Sequence, residues 1–153
     1  MRAGTSNSED SAESWRKKRA MYRWVEHTGE LQLEIESASE EELFTEAVDA
    51  IGGLLADDED GPDGPRLERE ITLTAADRPR LLAAWLGELA FLAETEGLVP
   101  TGLRRLRIGD GALEATVCGH RGDPPHLIKA VTYHRLSCEQ VDGGWRARAV
   151  LDV

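Results

Sequence analysis

Hydrophobic and polar positions along the chain follow two periods, one of two residues and one of about 3.6. The period of two predicts β-strands, because successive strand side chains point to opposite faces of a sheet. Residues 31–36 show it clearly, since Leu and Ile alternate with Gln and Glu. The segments with this pattern or with aromatic and β-branched side chains, which we predict as strands, are 22–25, 31–36, 67–73, 103–108, 113–119, 131–141 and 145–153.

Two segments have helical spacing instead. Ser39 followed by Glu42 is a capping box, and large apolar side chains then recur at three- and four-residue intervals up to position 55. Asp77 is a candidate N-cap for a second helix that tolerates Pro79 in its first turn and runs to about position 94. The element order predicts an α+β fold, a two-layer sandwich with two helices packed on a mixed β-sheet.

The ends and loops of this pattern set the predicted domain boundaries. Residues 1–20 contain few large apolar side chains and the basic run RKKR at 16–19, so they are predicted to be a disordered N-terminal tail. Residues 21–153 form the predicted domain. Residues 57–65 (DDEDGPDGP) predict an acidic loop, and Gly-Asp-Gly at 109–111 and Asp-Gly-Gly at 142–144 predict tight turns.

Composition narrows the functional classes. The chain has 153 residues, two cysteines and a net charge of −11. This acidity argues against direct nucleic-acid binding, which needs clustered Lys and Arg. The sequence contains no apolar stretch of membrane-spanning length and no secretory signal pattern, so we expect a cytoplasmic protein without a membrane partner.

The sequence carries few signs of catalysis. It has no phosphate-binding Gly-rich loop, no dinucleotide fingerprint and no nucleophile elbow, so no catalytic residue is predicted. Cys118 with His120 and His134 with Cys138 have spacings that would allow a zinc site across two strands. Core packing is the preferred interpretation of both cysteines, because free cysteines are commonly buried.

Three short segments identify a family resemblance. They are EHTGE at 26–30, between two predicted strands, IKAVTYH at 128–134, and LDV at 151–153. Together they closely resemble the signatures of archease, a family of small accessory proteins of RtcB-type RNA ligases. The segment LLAAWLGEL at 81–89 lies in family order, so the resemblance covers about residues 21–153.

The resemblance implies a divalent-metal site for Ca²⁺, Mg²⁺ or Mn²⁺. Its ligands would be Glu30, Asp152 and the terminal carboxylate of Val153, all of them the hard oxygen donors that these ions prefer. The alternative is that a polar chain end is simply solvated. The family usually has Asp at the position of Glu30, and the extra methylene leaves the identity and affinity of the metal open. Gly29 replaces a usual Ala.

The resemblance also implies functional roles for Lys129 and His27. Lys129 is expected to be important for activating the ligase, with an exposed strand-end lysine as the alternative. His27 either binds the metal or supports the turn, and His134 either packs in the core or flanks the site.

The implied function is accessory and not enzymatic. The protein is expected to activate an RtcB-type tRNA-splicing ligase by promoting its guanylylation and multiple turnover. The alternatives are a metal-dependent phosphohydrolase using Glu30, Asp152 and His27, and a chaperone-like adaptor.

Overall fold

The computed structural model describes residues 20–56, 64–125 and 127–153. Residues 1–19 of the predicted tail and residues 57–63 of the predicted acidic loop lie outside the described residues, whereas Ala20, the last residue of the predicted tail, begins the first strand. The elements in chain order are β1 (Ala20–His27), β2 (Glu30–Ser37), α1 (Glu40–Leu55), β3 (Arg66–Thr74), α2 (Arg78–Glu96), β4 (Leu98–Gly109), β5 (Ala112–Arg121), β6 (Ala130–Val141) and β7 (Gly144–Asp152).

The strands form two sheets, and the α+β class with two helices is confirmed. Sheet A has the order β1-β2-β7-β6 and sheet B the order β3-β5-β4. Every described pair is antiparallel, so the prediction of one mixed sheet is wrong. Hydrophobic periodicity locates strands but does not identify their partners. Here β2 pairs on one edge with β1 and on the other with β7, from the other end of the chain.

Both helices begin where the sequence predicts. The Ser39 hydroxyl accepts a hydrogen bond from the Glu42 amide at 3.2 Å, and the Asp77 carboxylate accepts one from the Arg80 amide at 2.9 Å. Each side chain satisfies an amide that has no partner within its own helix. Helix α2 ends at Gly97, whose φ of +68° is a left-handed conformation. Among the described residues, no helix is both long and apolar enough to cross a membrane.

A single hydrophobic core joins the helices to both sheets. Trp85 of α2 lies at its centre, fully buried, and its indole N–H donates to the Phe44 carbonyl of α1 at 3.0 Å. Helix α1 also approaches β4 very closely, because a Cβ added at Gly52 would lie 2.2 Å from the carbonyl oxygen of Pro100. A glycine in the last turn of α1 is therefore required by packing.

β1 and β4 extend furthest beyond their predicted bounds. β1 continues through Glu26 and His27, so that only Thr28 and Gly29 form the turn before β2. β4 begins at Leu98, five residues before the predicted start at position 103, and includes Pro100. β4 is an edge strand of sheet B, and proline is tolerated on an edge because its missing N–H removes no necessary ladder bond.

Candidate functional site

The first signature segment forms the tight hairpin between β1 and β2. His27 and Glu30 are directly opposed across the strands, and Thr28 and Gly29 make the two-residue turn. Gly29 has a φ of +73°, which a residue with a Cβ seldom adopts. Thr28 is thus a turn residue. His27 and Glu30 lie on one face because opposed residues share a face of the sheet.

The last signature segment lies on β7, which pairs with β2 along the edge opposite β1. Asp152 on β7 is the direct cross-strand partner of Glu30. One residue further, the amide of Val153 donates to the Gly29 carbonyl at 3.2 Å. The backbone ladder therefore brings Glu30, Asp152 and the main chain of Val153 together, although the sequence separates the first from the others by most of its length.

The second signature segment joins from the opposite edge of β7. The Lys129 amide donates to the Asp152 carbonyl at 2.8 Å, and Ala130 is the cross-strand partner of Asp152. Lys129 is exposed at this position. The five residues to which the resemblance assigns a role in the metal site or in ligase activation consequently lie at one end of sheet A: His27, Glu30, Lys129, Asp152 and Val153.

The opposed acids give this end of the sheet an unfavourable charge arrangement. Like charges directly opposite on neighbouring strands repel, and side chains at such positions have Cβ atoms about 5 Å apart. Residues Glu30 and Asp152 form such a pair. A nearby cation would relieve the repulsion, and oxygen donors suit a hard divalent ion.

The side chains of the described residues do not by themselves form a metal centre. Among the described ranges, no three His, Cys, Asp or Glu side chains are grouped so that they could hold a metal ion. The candidate donor set is two side-chain carboxylates plus, in a chain that ends at Val153, the α-carboxylate. The oxygen atoms of these carboxylates suit a hard ion. In the described structure, the Glu30 carboxylate faces an arginine side chain.

That arginine is Arg135, which sequence reasoning missed. Its guanidinium Nη2 lies 3.3 Å from Oε1 of Glu30. Arg135 belongs to a wide bulge in β6, where residues 133–136 lie between the register pairs of Thr132 and Ser137. The sequence carries a signal for this bulge: Val131 and Tyr133 keep one phase of the alternation, whereas Leu136 and Cys138 keep the other.

The same bulge positions His134. Its side chain is exposed, and its amide donates to the Thr132 hydroxyl at 3.2 Å. His134 therefore does not pack in the core, and it directly precedes Arg135 in the bulge. Tyr133 beside it is 65% exposed, and the Arg80 guanidinium lies 5.9 Å from the centre of its ring.

The zinc arrangement is not formed. Cys118 and His120 lie on β5 of sheet B, whereas His134 and Cys138 lie on β6 of sheet A. Cys138 is buried in the hydrophobic core, and this burial raises the pKa of its thiol to about 12. Core packing is the correct interpretation of Cys138, and Cys118 is half-buried.

Comparison with known proteins agrees with the resemblance. A profile of the Archease protein family (MTH1598/TM1083) matches residues 22–153. The chain belongs to the archease family. Archease-family relatives include the protein archease of Methanosarcina mazei, 32% identical over 141 residues that cover 86% of this chain and 95% of the relative. The protein archease of Thermococcus gammatolerans is 32% identical over 145 residues, which cover 87% of this chain and all of the relative.

Solved structures share the archease fold. The solution structure of protein 1598 from Methanobacterium thermoautotrophicum has a TM-score of 0.63 and 26% identity, covering 89% of this chain and 99% of its own. The crystal structure of an archease from Thermotoga maritima, described as a possible chaperone, has a TM-score of 0.59 and 24% identity. It covers 87% of this chain and 98% of its own.

Proposed function

We propose that the protein activates an RtcB-type RNA ligase of the tRNA-splicing class, by promoting guanylylation of the ligase and so its multiple turnover. One observation carries the proposal: the three signature segments of the archease family converge at one end of sheet A. This end combines the opposed acids with an exposed Lys129, which suits a surface that acts on a partner's active site. The protein works in the cytoplasm as an accessory protein and not as an enzyme.

A divalent ion, Ca²⁺, Mg²⁺ or Mn²⁺, is part of this proposal. Glu30, Asp152 and the carboxylate of Val153 would hold it, because the register makes the first two direct neighbours and Val153 is bonded beside them. A bound ion would neutralise the repelling acids and offer positive charge to phosphate or carboxylate oxygens of the ligase complex. Residues added after Val153 would turn its carboxylate into a neutral amide and should weaken ion binding.

Lys129 and His27 have separate tasks in this mechanism. The Lys129 backbone is fixed through Asp152, so its ammonium group projects from a defined point beside the acids. There it would bind nucleotide phosphates or ligase carboxylates as a compact cation. His27 faces Glu30 across the closing pair of the hairpin and would hold that carboxylate in place.

The test is RNA joining by a cognate RtcB-type ligase supplied with GTP and Mn²⁺. The wild-type protein should increase both the amount of ligase–guanylate and the number of turnovers. Lys129→Ala should abolish that gain, because it removes the projecting cation. Arg107→Ala is the matched control, since it removes an exposed cation from β4 in the other sheet. Circular dichroism melts of both variants should match the wild type.

Two outcomes would contradict the proposal. A wild-type protein that leaves the turnover of its cognate ligase unchanged would remove the ligase role. Hydrolysis of a phosphate ester by the purified protein and metal alone would favour the phosphohydrolase alternative.

A chaperone role is the second candidate, favoured by the similar Thermotoga maritima structure that is described as a possible chaperone. It predicts that the protein suppresses aggregation of unrelated unfolded clients. This suppression should not depend on a divalent ion or on Lys129.

A further inference from the structure

We infer that Arg135 competes with the divalent ion for the Glu30 carboxylate and thereby sets the affinity of the metal site. The inference rests on the proposed metal site, and it concerns a residue that is not one of the three expected ligands. In the described structure the guanidinium of Arg135 is 3.3 Å from Glu30. An ion that binds Glu30 must displace this guanidinium or accept it as a repelling neighbour.

The backbone around Arg135 is built in an unusual way to make this contact. Four residues of β6, 133–136, stand opposite the single residue Ala149 of β7. Arg135 itself has a φ of +56°, a left-handed conformation that is uncommon for a residue other than glycine. The bulge thus raises Arg135 out of the regular strand.

The topology shows why a bulge is needed. β7 lies between β6 and β2 in sheet A, so Arg135 and Glu30 are on strands that are not neighbours. Adjacent strands are about 4.8 Å apart, and a side chain from β6 must therefore cross the whole of β7 to reach Glu30. Crossing β7 carries the guanidinium past the strand that bears Asp152. Arg135 consequently supplies positive charge to the Glu30 carboxylate when no ion is bound.

The exposure of the pair sets the size of the effect. The side chains of Arg135 and Glu30 are 37% and 31% exposed, so water and salt screen their attraction. Without the guanidinium, ion binding no longer has to break the weak ion pair between Arg135 and Glu30, and no nearby positive charge repels the ion. We therefore expect the affinity for a divalent ion to rise about three- to tenfold when Arg135 loses its charge.

The experiment is calorimetric titration of Ca²⁺ and Mn²⁺ into the full chain. Arg135→Gln should bind the ions about three- to tenfold more tightly than the wild type, and Arg135→Lys, which keeps the charge, should stay within about twofold of it. Arg23→Gln is the matched control. It removes the same charge from an ion pair with Glu34, four residues along β2 from Glu30, and should also stay within about twofold.

Each result decides the inference. If Arg135→Gln binds no more tightly than Arg23→Gln, the inference is overturned, and measurable wild-type binding that is lost in Asp152→Asn would leave the proposed metal site standing. If no variant binds either ion, both the inference and the metal site are overturned. Should Arg135→Gln melt early, Arg135→Gly provides the same charge change and adopts a positive φ without strain.

Discussion

Replacing Asp152 by Asn should stabilise the ion-free protein and at the same time remove its response to divalent ions. The two effects have opposite signs because the carboxylate of Asp152 plays two parts. It repels Glu30, its direct cross-strand partner, and it would bind the ion. An ordinary structural aspartate would lose stability on replacement and would show no such reversal.

The magnitude follows from the register. Two unit charges about 5 Å apart repel by ~0.8 kcal/mol at the dielectric constant of water and by ~3 kcal/mol at an effective constant of ~20. Arg135 offsets part of this repulsion, so the lower figure is the better guide, and measured cross-strand pairs fall in the range of about 0.2–1 kcal/mol. For a chain of this size a gain of ~0.5–1 kcal/mol raises Tm by about 1–4 °C.

The assay is thermal unfolding in chelator and with saturating Ca²⁺ or Mn²⁺. An ion at about 100 times its Kd should stabilise the wild type by ~2.7 kcal/mol, whereas Asp152→Asn should lose most of that increment. Glu30→Gln should also lose that increment, but it should not gain stability in chelator as Asp152→Asn does, because it gives up the ion pair with Arg135. The reasoning is refuted if Asp152→Asn has a lower Tm in chelator than the wild type, or if its Tm rises with the ion as much as that of the wild type.

Two further predictions concern packing and the thiols. Gly52→Ala should lower the free energy of unfolding by about 1–3 kcal/mol because its methyl group meets the β4 backbone, whereas Gly87→Ala in α2, with no atom within 4 Å of the new Cβ, should raise it by about 0.5–1 kcal/mol. Urea unfolding measures both variants, and equal effects would contradict the packing argument. Iodoacetamide at about pH 8 should label Cys118 in the native protein and Cys138 only after unfolding, since burial raises the pKa of Cys138 from 9.0 to about 12; equal native labelling of both thiols in mass spectrometry would contradict the burial of Cys138. Because the thiol of Cys138 loses its proton at lower pH in the unfolded chain than in the folded protein, it also makes the free energy of unfolding fall as pH rises above 9.0.

Local features of the fold could be predicted from the sequence because local chemistry determines them. Ser39 and Asp77 cap the two helices as their side chains require, and Gly29 closes the first hairpin with a positive φ. Each of these depends on atoms within a few residues. The signature segments likewise pointed to the residues that the sheet gathers at one end.

The arrangement of the strands could not be predicted in the same way. Alternation marks the faces of a strand but not its neighbours, so the division into two antiparallel sheets was missed. Arg135 was missed for a related reason: its importance depends on a bulge and on the two-strand distance to Glu30, which only the register reveals. The phase shift at residues 133–136 indicates the bulge but not what it contacts.

The pairing of β2 with β7 also determines when the site can form as the chain is made. Glu30 and Arg135 are 105 positions apart, and β7 follows every other described element. A growing chain can complete β1, β2 and α1 early, yet β2 keeps one edge without a partner until β7 emerges from the ribosome. An exposed strand edge invites pairing with other chains. Synthesis that stops before β7 would therefore leave a chain with no site and an edge prone to aggregation, so that only molecules that include β7 present the paired acids.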